Sequence, residues 1–251
     1  LDMIWYGVGL STVNKIFNAM LQLINYALSN DDVFNFPKTE AEFGQVANEW
    51  ASVMKSKKGS DLMPGTILAG DGLVVEITEV KEKDLGDLSK FHFRNRKGFY
   101  GVIAQAFCDA YGKFRYFDVF WPGGTNDIIA YKQTELYRKF CTGKIPSQYH
   151  MVLDEAYGSI GGDQHLCPFS KSQLRKQAAI SETAYGIVKT FNNVLSSERI
   201  TIERAFGMLV RKFGILWKAL EYDLPTNILI IQVDVMGCRI LVLYYIMYIW
   251  Y

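Results

Sequence analysis

Cysteine is scarce and unpatterned in this chain. Of 251 residues only Cys108, Cys141, Cys167 and Cys238 are cysteine, with no CxxC pair and no pairing rhythm, so reduced thiols in an intracellular compartment are the simplest account. Histidine is scarcer still. His92, His150 and His165 stand at no metal-ligand spacing from one another or from a cysteine, and no zinc site is expected. Neither sign of charge dominates: 27 Lys and Arg against 26 Asp and Glu leave a formal net charge of +1. That excludes a uniformly basic nucleic-acid binder and confines any such binding to local patches. Internal repeats and low-complexity segments are lacking. So is a long apolar run: the uninterrupted stretch Ile240–Tyr251 has 12 residues, against the roughly 20 that a membrane span needs. Asp234, a little upstream, would be costly in lipid. The tail from Asn227 to Tyr251 therefore reads as a buried terminal helix or strand, or as an ill-fitting extension, in preference to an anchor. The chain opens at Leu1 with no signal-like segment and reads as a fragment without its natural start.

What is present suits a globular protein. Apolar residues make up 49% and charged ones 21%, enough for one good core and a small extra module. Taken in order, Ser11 is a plausible N-cap for a helix whose stripe is Val13, Ile16, Phe17, Met20, Leu21, Ile24 and Leu28. The glycine-containing lead from Gly7 into Ser-Thr-Val resembles half of a helix-turn-helix, and an ordinary packing helix explains it as well. A second helix is expected over about Thr39–Lys55, then a Lys55–Ser60 loop. Thr66–Thr78 reads as a strand with Asp71 in its middle, and the glycines on both sides of that acid suggest a bulge or a closely approaching ligand. Phe99–Cys108 and Lys113–Trp121 form a hairpin through Asp109–Gly112. A helix over Asp127–Phe140, a short strand Tyr149–Leu153 ending at Asp154, and a loop-rich stretch Gly158–Ser181 follow.

The organising element is a helix over about Ser196–Leu220. Ile202, Phe206, Leu209, Val210, Phe213, Leu216 and Trp217 recur at helical spacing, and Glu203 sits on the flank of that stripe. Gly207 and Gly214 lower helix stability, which close approach of another backbone would explain. The first three strands can pair antiparallel and the fourth can lie parallel to the first through a crossover. Asp154 then ends a parallel strand, where open α/β sheets place ligands. With the Glu203 helix over that end, Asp71, Asp154 and Glu203 converge. Bare carboxylates so close raise one another's pKa, and divalent cations remove the conflict. Two ions about 4 Å apart activate the attacking oxygen and stabilise the leaving one in phosphodiester cleavage.

From about Phe36 to Trp217 the chain resembles the DDE endonuclease domain of PIF/Harbinger transposases and their domesticated relatives. The segments that carry the resemblance are Ala69-Gly-Asp-Gly-Leu-Val-Val-Glu-Ile, Asn95-Arg-Lys-Gly-Phe-Tyr-Gly-Val-Ile-Ala-Gln-Ala-Phe-Cys-Asp, Trp121-Pro-Gly-Gly-Thr-Asn-Asp, Val152-Leu-Asp-Glu-Ala-Tyr, and Phe191-Asn through Glu203-Arg-Ala-Phe-Gly. The resemblance implies an α/β fold with an RNase H-like mixed sheet flanked by helices, behind a small N-terminal helical segment. It implies a partial helix-turn-helix in residues 1–60, the nuclease in 61–225 and a departing apolar tail in 226–251. Its catalytic triad falls on Asp71, Asp154 and Glu203, the last two separated by the 48 residues 155–202. It further implies Mg²⁺ or Mn²⁺, two ions, as cofactor, DNA as substrate, a separate Myb-like DNA-binding protein as partner, and a nuclear location. A domesticated relative that binds without cutting is the alternative.

Asp127 matches the acid of the Trp-Pro-Gly motif as a further metal ligand; on its own it reads as a helix N-terminal acid favoured by the dipole. Arg199 and Arg204, flanking Glu203, are candidates to hold DNA phosphates or to brace the carboxylate. Arg96 and Lys97, with Arg94, are placed to meet phosphate or form a solvated charge run. Glu76, Asp118 and Glu155 read as solvated or salt-bridged acids. After Ile231 the sequence Val233-Asp-Val-Met-Gly-Cys-Arg departs from the family's pattern, as a shifted reading frame or retained intron would make it, and damaged C-terminal packing is expected.

Overall fold

The computed structural model describes residues 9–30, 34–58 and 63–249, without the side chains of residues 10, 28–30, 57–58 and 239–249. The glycine lead at residues 7–8 and the end of the Lys55–Ser60 loop lie outside them. The elements in order are α1 (Leu10–Asn30), α2 (Glu40–Lys58), β1 (Thr66–Glu76), β2 (Gly101–Cys108), β3 (Phe114–Pro122), α3 (Asp127–Lys132), α4 (Glu135–Cys141), β4 (His150–Val152), β5 (His165–Leu166), α5 (Lys171–Ile180), α6 (Glu182–Lys212) and α7 (Leu224–Ile249). The strands make one five-stranded sheet in the order β3-β2-β1-β4-β5. β1, β2 and β3 pair antiparallel, while β4 runs parallel to β1 and β5 parallel to β4. This is the expected mixed, RNase H-like sheet flanked by helices.

Every residue of β2 is buried, because both faces of the sheet are covered. On one face Phe107, Met151 and Leu153 pack with Tyr131, Leu136 and Phe140 of α3 and α4, and with Tyr157. On the other, Ala69, Ala106, Cys108 and Val152 lie under Leu195, Ile202, Ala205 and Leu209 of α6 and Val235 and Cys238 of α7. α2 contributes to both: Phe43 and Val46 to the first, Trp50 and Met54 to the second. The tail is a helix, and Ile230, Ile231, Val235 and Cys238 are at most 2% exposed, so packing there is intact at least as far as Cys238. Asp234 is the misfit: it is buried with Oδ2 unpartnered, and burial pushes its carboxyl up to about 7. Among the described residues no helix is long and apolar enough to cross a membrane.

Several expectations are corrected. Ser11 is not the cap of α1; the Gly9 carbonyl accepts from the Thr12 and Val13 amides at 2.9 and 3.2 Å, so Ser11 lies within the first turn. The helix expected over Asp127–Phe140 is two, because buried Thr134 turns its hydroxyl back to the Tyr131 carbonyl (2.7 Å) and caps α4 by accepting from Tyr137 N (3.1 Å). The stretch expected to be loop-rich holds β5 and α5, the latter opened by a Ser170–Gln173 capping box. The organising helix starts at Glu182, capped by Ser181, and ends at Lys212, followed by a 3-10 turn over Gly214–Trp217. Trp217, expected on the apolar stripe, is 69% exposed, its indole N–H donating to the Val210 carbonyl at 2.6 Å. No backbone approaches Gly207 or Gly214: a Cβ at either would meet nothing within 4 Å.

Gly70 is where a glycine is needed. A Cβ there would run into the Phe107 ring and come within 2.9 Å of Leu153 Cδ2. Gly70→Ala is expected to cost about 1–3 kcal/mol by overpacking. Gly207→Ala, in open space on a helix, is expected to add up to about 1 kcal/mol. Urea unfolding of the two variants beside the parent checks both signs.

Candidate active site

β4 pairs with β1 only between Thr66 and Ala69, so beyond Ala69 the edge of β1 facing β4 is open. Asp71 stands on that open stretch. It is in register with Ala106, hence on the α6 side of the sheet. Asp154 follows β4 by two residues and immediately precedes a 3-10 turn over Glu155–Tyr157. α6 lies across this end. Its buried residues Glu198, Thr201, Ile202 and Ala205 turn the flank carrying Arg199 and Glu203 toward the β1 edge. Residues 71, 154 and 203 are thus brought together from a strand, a strand end and a helix.

Their meeting point is a guanidinium. Arg199 Nη1 lies 2.9 Å from Glu203 Oε1 and 3.7 Å from Asp71 Oδ2, and Arg199 Nε lies 3.9 Å from Asp154 Oδ1. The first contact has hydrogen-bond length; the other two are ion pairs. The Arg199 side chain is 20% exposed and that of Asp71 24%, against 41% for Asp154 and 47% for Glu203. Asp71 Oδ1 accepts from the Gly72 amide at 2.8 Å. Burial, with Asp154 and Asp127 adding like charge, pushes the Asp71 carboxyl up to about 6, against the pull of the Gly72 amide and Arg199.

Asp127 arrives from the opposite face. It opens α3 behind the N-cap Asn126, whose Oδ1 accepts from Ile128 N, and a Cβ on Gly72 would lie 2.5 Å from Asp127 Oδ1. Neither a bulge at Asp71 nor backbone proximity to a ligand is needed to explain the flanking glycines. Gly70 clears Phe107, and Gly72 clears Asp127. Burial raises the Asp127 carboxyl and Asp154 adds to the rise, while the Arg96 guanidinium opposes it. Arg96 is thus the cation whose charge reaches Asp127. Lys97 and Arg204 are exposed and make no ion pair among the described residues. Glu76 and Glu155 are exposed, and Asp118 takes a 3.4 Å contact from the Tyr116 hydroxyl.

Three groups at the site escaped the sequence reading. Gln105, fully buried, accepts from the Tyr157 hydroxyl at 2.8 Å and leaves Nε2 without a partner, beside Gly72 and Asp127. Its signal was available: it is the lone polar residue of β2. Tyr157 is the second, its hydroxyl held far from ionising by burial and by the charges of Asp127 and Asp71. The third is Glu198, 1% exposed, which accepts from Thr66 Oγ1 at 2.9 Å and so fastens α6 to the start of β1. The histidines have structural partners: His150 Nε2 meets Thr66 Oγ1, and His165 Nε2 meets the Tyr131 hydroxyl, each at 2.9 Å.

The donor set of Asp71, Asp154, Glu203 and Asp127 is all hard carboxylate oxygen, the set that Mg²⁺ and Mn²⁺ accept. Its chemistry fits such ions. Among the described residues, however, no three acid, histidine or cysteine side chains close on one point tightly enough to ligate a cation; the acids are spaced by the guanidinium between them.

Residues 71–241 match the DDE superfamily endonuclease family. The chain belongs to that family. The matched stretch starts at Asp71 and runs through the first part of α7, beyond the departure expected after Ile231. Among curated proteins none matches. A solved structure, the Mos1 transposase paired-end complex with left transposon end, is similar at 12% identity over 72% of this chain and 63% of that one, with a TM-score of 0.25. So low a score adds nothing to the fold read from the strand order.

The raised Asp71 carboxyl sets a pH dependence. A carboxyl near 6 in the folded state and near 3.9 when unfolded favours folding below the unfolded value. It loses that contribution as pH rises through about 6. Asp71→Asn is therefore expected to stabilise the cation-free protein by about 1–3 kcal/mol at pH 8, the gain shrinking towards pH 4. Urea unfolding at the two pH values reads it.

Proposed function

We propose that this chain is a divalent-metal-dependent DNA endonuclease of the PIF/Harbinger transposase lineage, cutting phosphodiester bonds with Asp71, Asp154 and Glu203. One observation carries the reading. Three acids from β1, the end of β4 and α6, far apart in sequence, surround a single guanidinium within 3.9 Å, inside a family match that begins at the first of them.

Asp71 would hold the ions from within β1, Asp154 from the end of β4, Glu203 from the helix, and Asp127 from behind Gly72. When bound, Mg²⁺ or Mn²⁺ supplies an activated oxygen nucleophile and neutralises charge on the leaving one. The protein's own part is positional. The Gly72 amide fixes one oxygen of Asp71, the Asn126-capped start of α3 fixes Asp127, and Glu198 with Thr66 fixes the helix that carries Glu203. The Arg96 guanidinium acts on Asp127, and Lys97 and Arg204 are exposed, cations suited to DNA phosphates. A nuclear location and a Myb-like DNA-binding partner belong to this proposal through the family resemblance alone.

The second reading is a relative that binds without cutting. Arg199, standing among the three carboxylates where a cation would sit, favours it. Cleavage separates the two. Duplex DNA is expected to be nicked in Mg²⁺ or Mn²⁺ and left intact in EDTA. Asp154→Asn and Glu203→Gln should each lower the rate at least about a hundredfold. Cutting that survives both substitutions overturns the triad, and DNA binding without cutting in the parent establishes the second reading.

A further inference from the structure

Arg199 is not a surface arginine that happens to lie near acids. It sits one residue after buried Glu198, whose bond from Thr66 pins this turn of α6 to β1. One helical turn later comes Glu203, so the 2.9 Å contact between them is built into the helix. From there the guanidinium spans the open edge of β1 to reach Asp71 and Asp154. The Arg199 side chain is 20% exposed and that of Asp71 24%, so its charge is screened less by water toward Asp71 than toward the more open Asp154 and Glu203.

We propose that Arg199 is the resident counter-ion of the carboxylate site: it holds Asp71, Asp154 and Glu203 together before a divalent cation binds, and guanidinium and cation exclude each other from those oxygens. The proposal rests on reading the three acids as cation ligands and adds what must leave when the cation arrives. The geometric reason is size. Mg²⁺ draws its oxygens to about 2.0–2.1 Å from one point. A planar guanidinium presents its N–H groups over a much wider front, and the acids around it are accordingly too far apart to ligate one ion. The guanidinium occupies oxygens of all three acids that a cation would have to draw in, so one site does not hold both in this arrangement. Cation affinity is thereby reduced by the stability of the Arg199 contacts, and the site is kept from splaying under its own repulsion while empty.

The test is thermal unfolding of the parent, Arg199→Lys and Arg199→Gln across a Mn²⁺ titration, with Mn²⁺ binding measured by calorimetry. In EDTA the melting temperature is expected to fall in the order parent, Arg199→Lys, Arg199→Gln. At saturating Mn²⁺ the three should converge, and Mn²⁺ should bind Arg199→Gln about tenfold tighter than the parent, equivalent to about 1.4 kcal/mol. Phenylglyoxal labelling of the parent, read on the peptide containing Arg199, should rise on adding Mn²⁺ and not rise in Asp154→Asn. A melting gap that persists at saturating Mn²⁺, or labelling that ignores Mn²⁺, overturns the role of Arg199 while leaving the cation site standing. Failure of Mn²⁺ to bind parent and variants alike overturns the cation site and this proposal with it. Should Arg199→Gln not fold, the labelling of the parent decides alone.

Discussion

Repulsion among carboxylates is the constraint around which this end of the molecule is arranged. Burial first, and then the like charges of Asp154 and Asp127, push the Asp71 carboxyl up to about 6. Such a cluster does not assemble by itself. It is held by the rest of the fold: aliphatic and aromatic packing on both faces of β2 fixes the sheet, and the sheet fixes the strand ends. Within the cluster the opposing charge comes from Arg199 on one side and Arg96 on the other.

The strand lengths decide where the acids meet. β4 stops opposite Ala69, while β1 runs on to Glu76. The edge exposed by that mismatch gives Asp71 an outlet, and the chain leaving β4 sets Asp154 beside it. Alternation along β1 then sorts the neighbours: Asp71 looks to α6, and Gly70 and Gly72 look to α3 and α4. Because the glycines carry no side chain, Phe107 fills the space at one and the Asp127 carboxylate enters at the other. A Cβ at position 72 would lie 2.5 Å from an Asp127 oxygen, so in Gly-Asp-Gly the second glycine leaves room for that carboxylate as the first leaves room for Phe107.

Much of this was legible in the sequence because it is written in local patterns. The period-two strands, the hairpin at Asp109–Gly112 and the parallel placement of β4 follow from apolar alternation and chain order, and the positions of Asp71, Asp154 and Glu203 from motifs in series. The misreadings have physical causes. α5 falls in the stretch expected to be loop-rich because it buries none of its residues, and α6 begins at Glu182, ahead of the strong apolar stripe that places its expected start near Ser196. Their order comes from the Ser170 and Ser181 caps and from packing on each other, terms a search for buried stripes does not weigh. Thr134, unremarkable in sequence, splits a helix through its own hydroxyl. Gly207 and Gly214 drew a contact explanation, yet they face open space.

Arg199 marks the limit of sequence reading most clearly. In the sequence it is one of several cations around Glu203, and phosphate binding and carboxylate bracing are equally good uses for it. What separates it from Arg204 is helix phase. Residue 199 lies one turn before Glu203 on the face turned to β1 and reaches three acids, whereas residue 204 faces solvent. That phase is set by Glu198, Ile202 and Ala205, buried on the sheet side of α6, and Glu198 is fastened there by Thr66 at the start of β1. The same strand therefore fixes both partners, supplying Asp71 directly and orienting Arg199 through the helix laid across it. Charge balance at the site is thus a consequence of how α6 is docked.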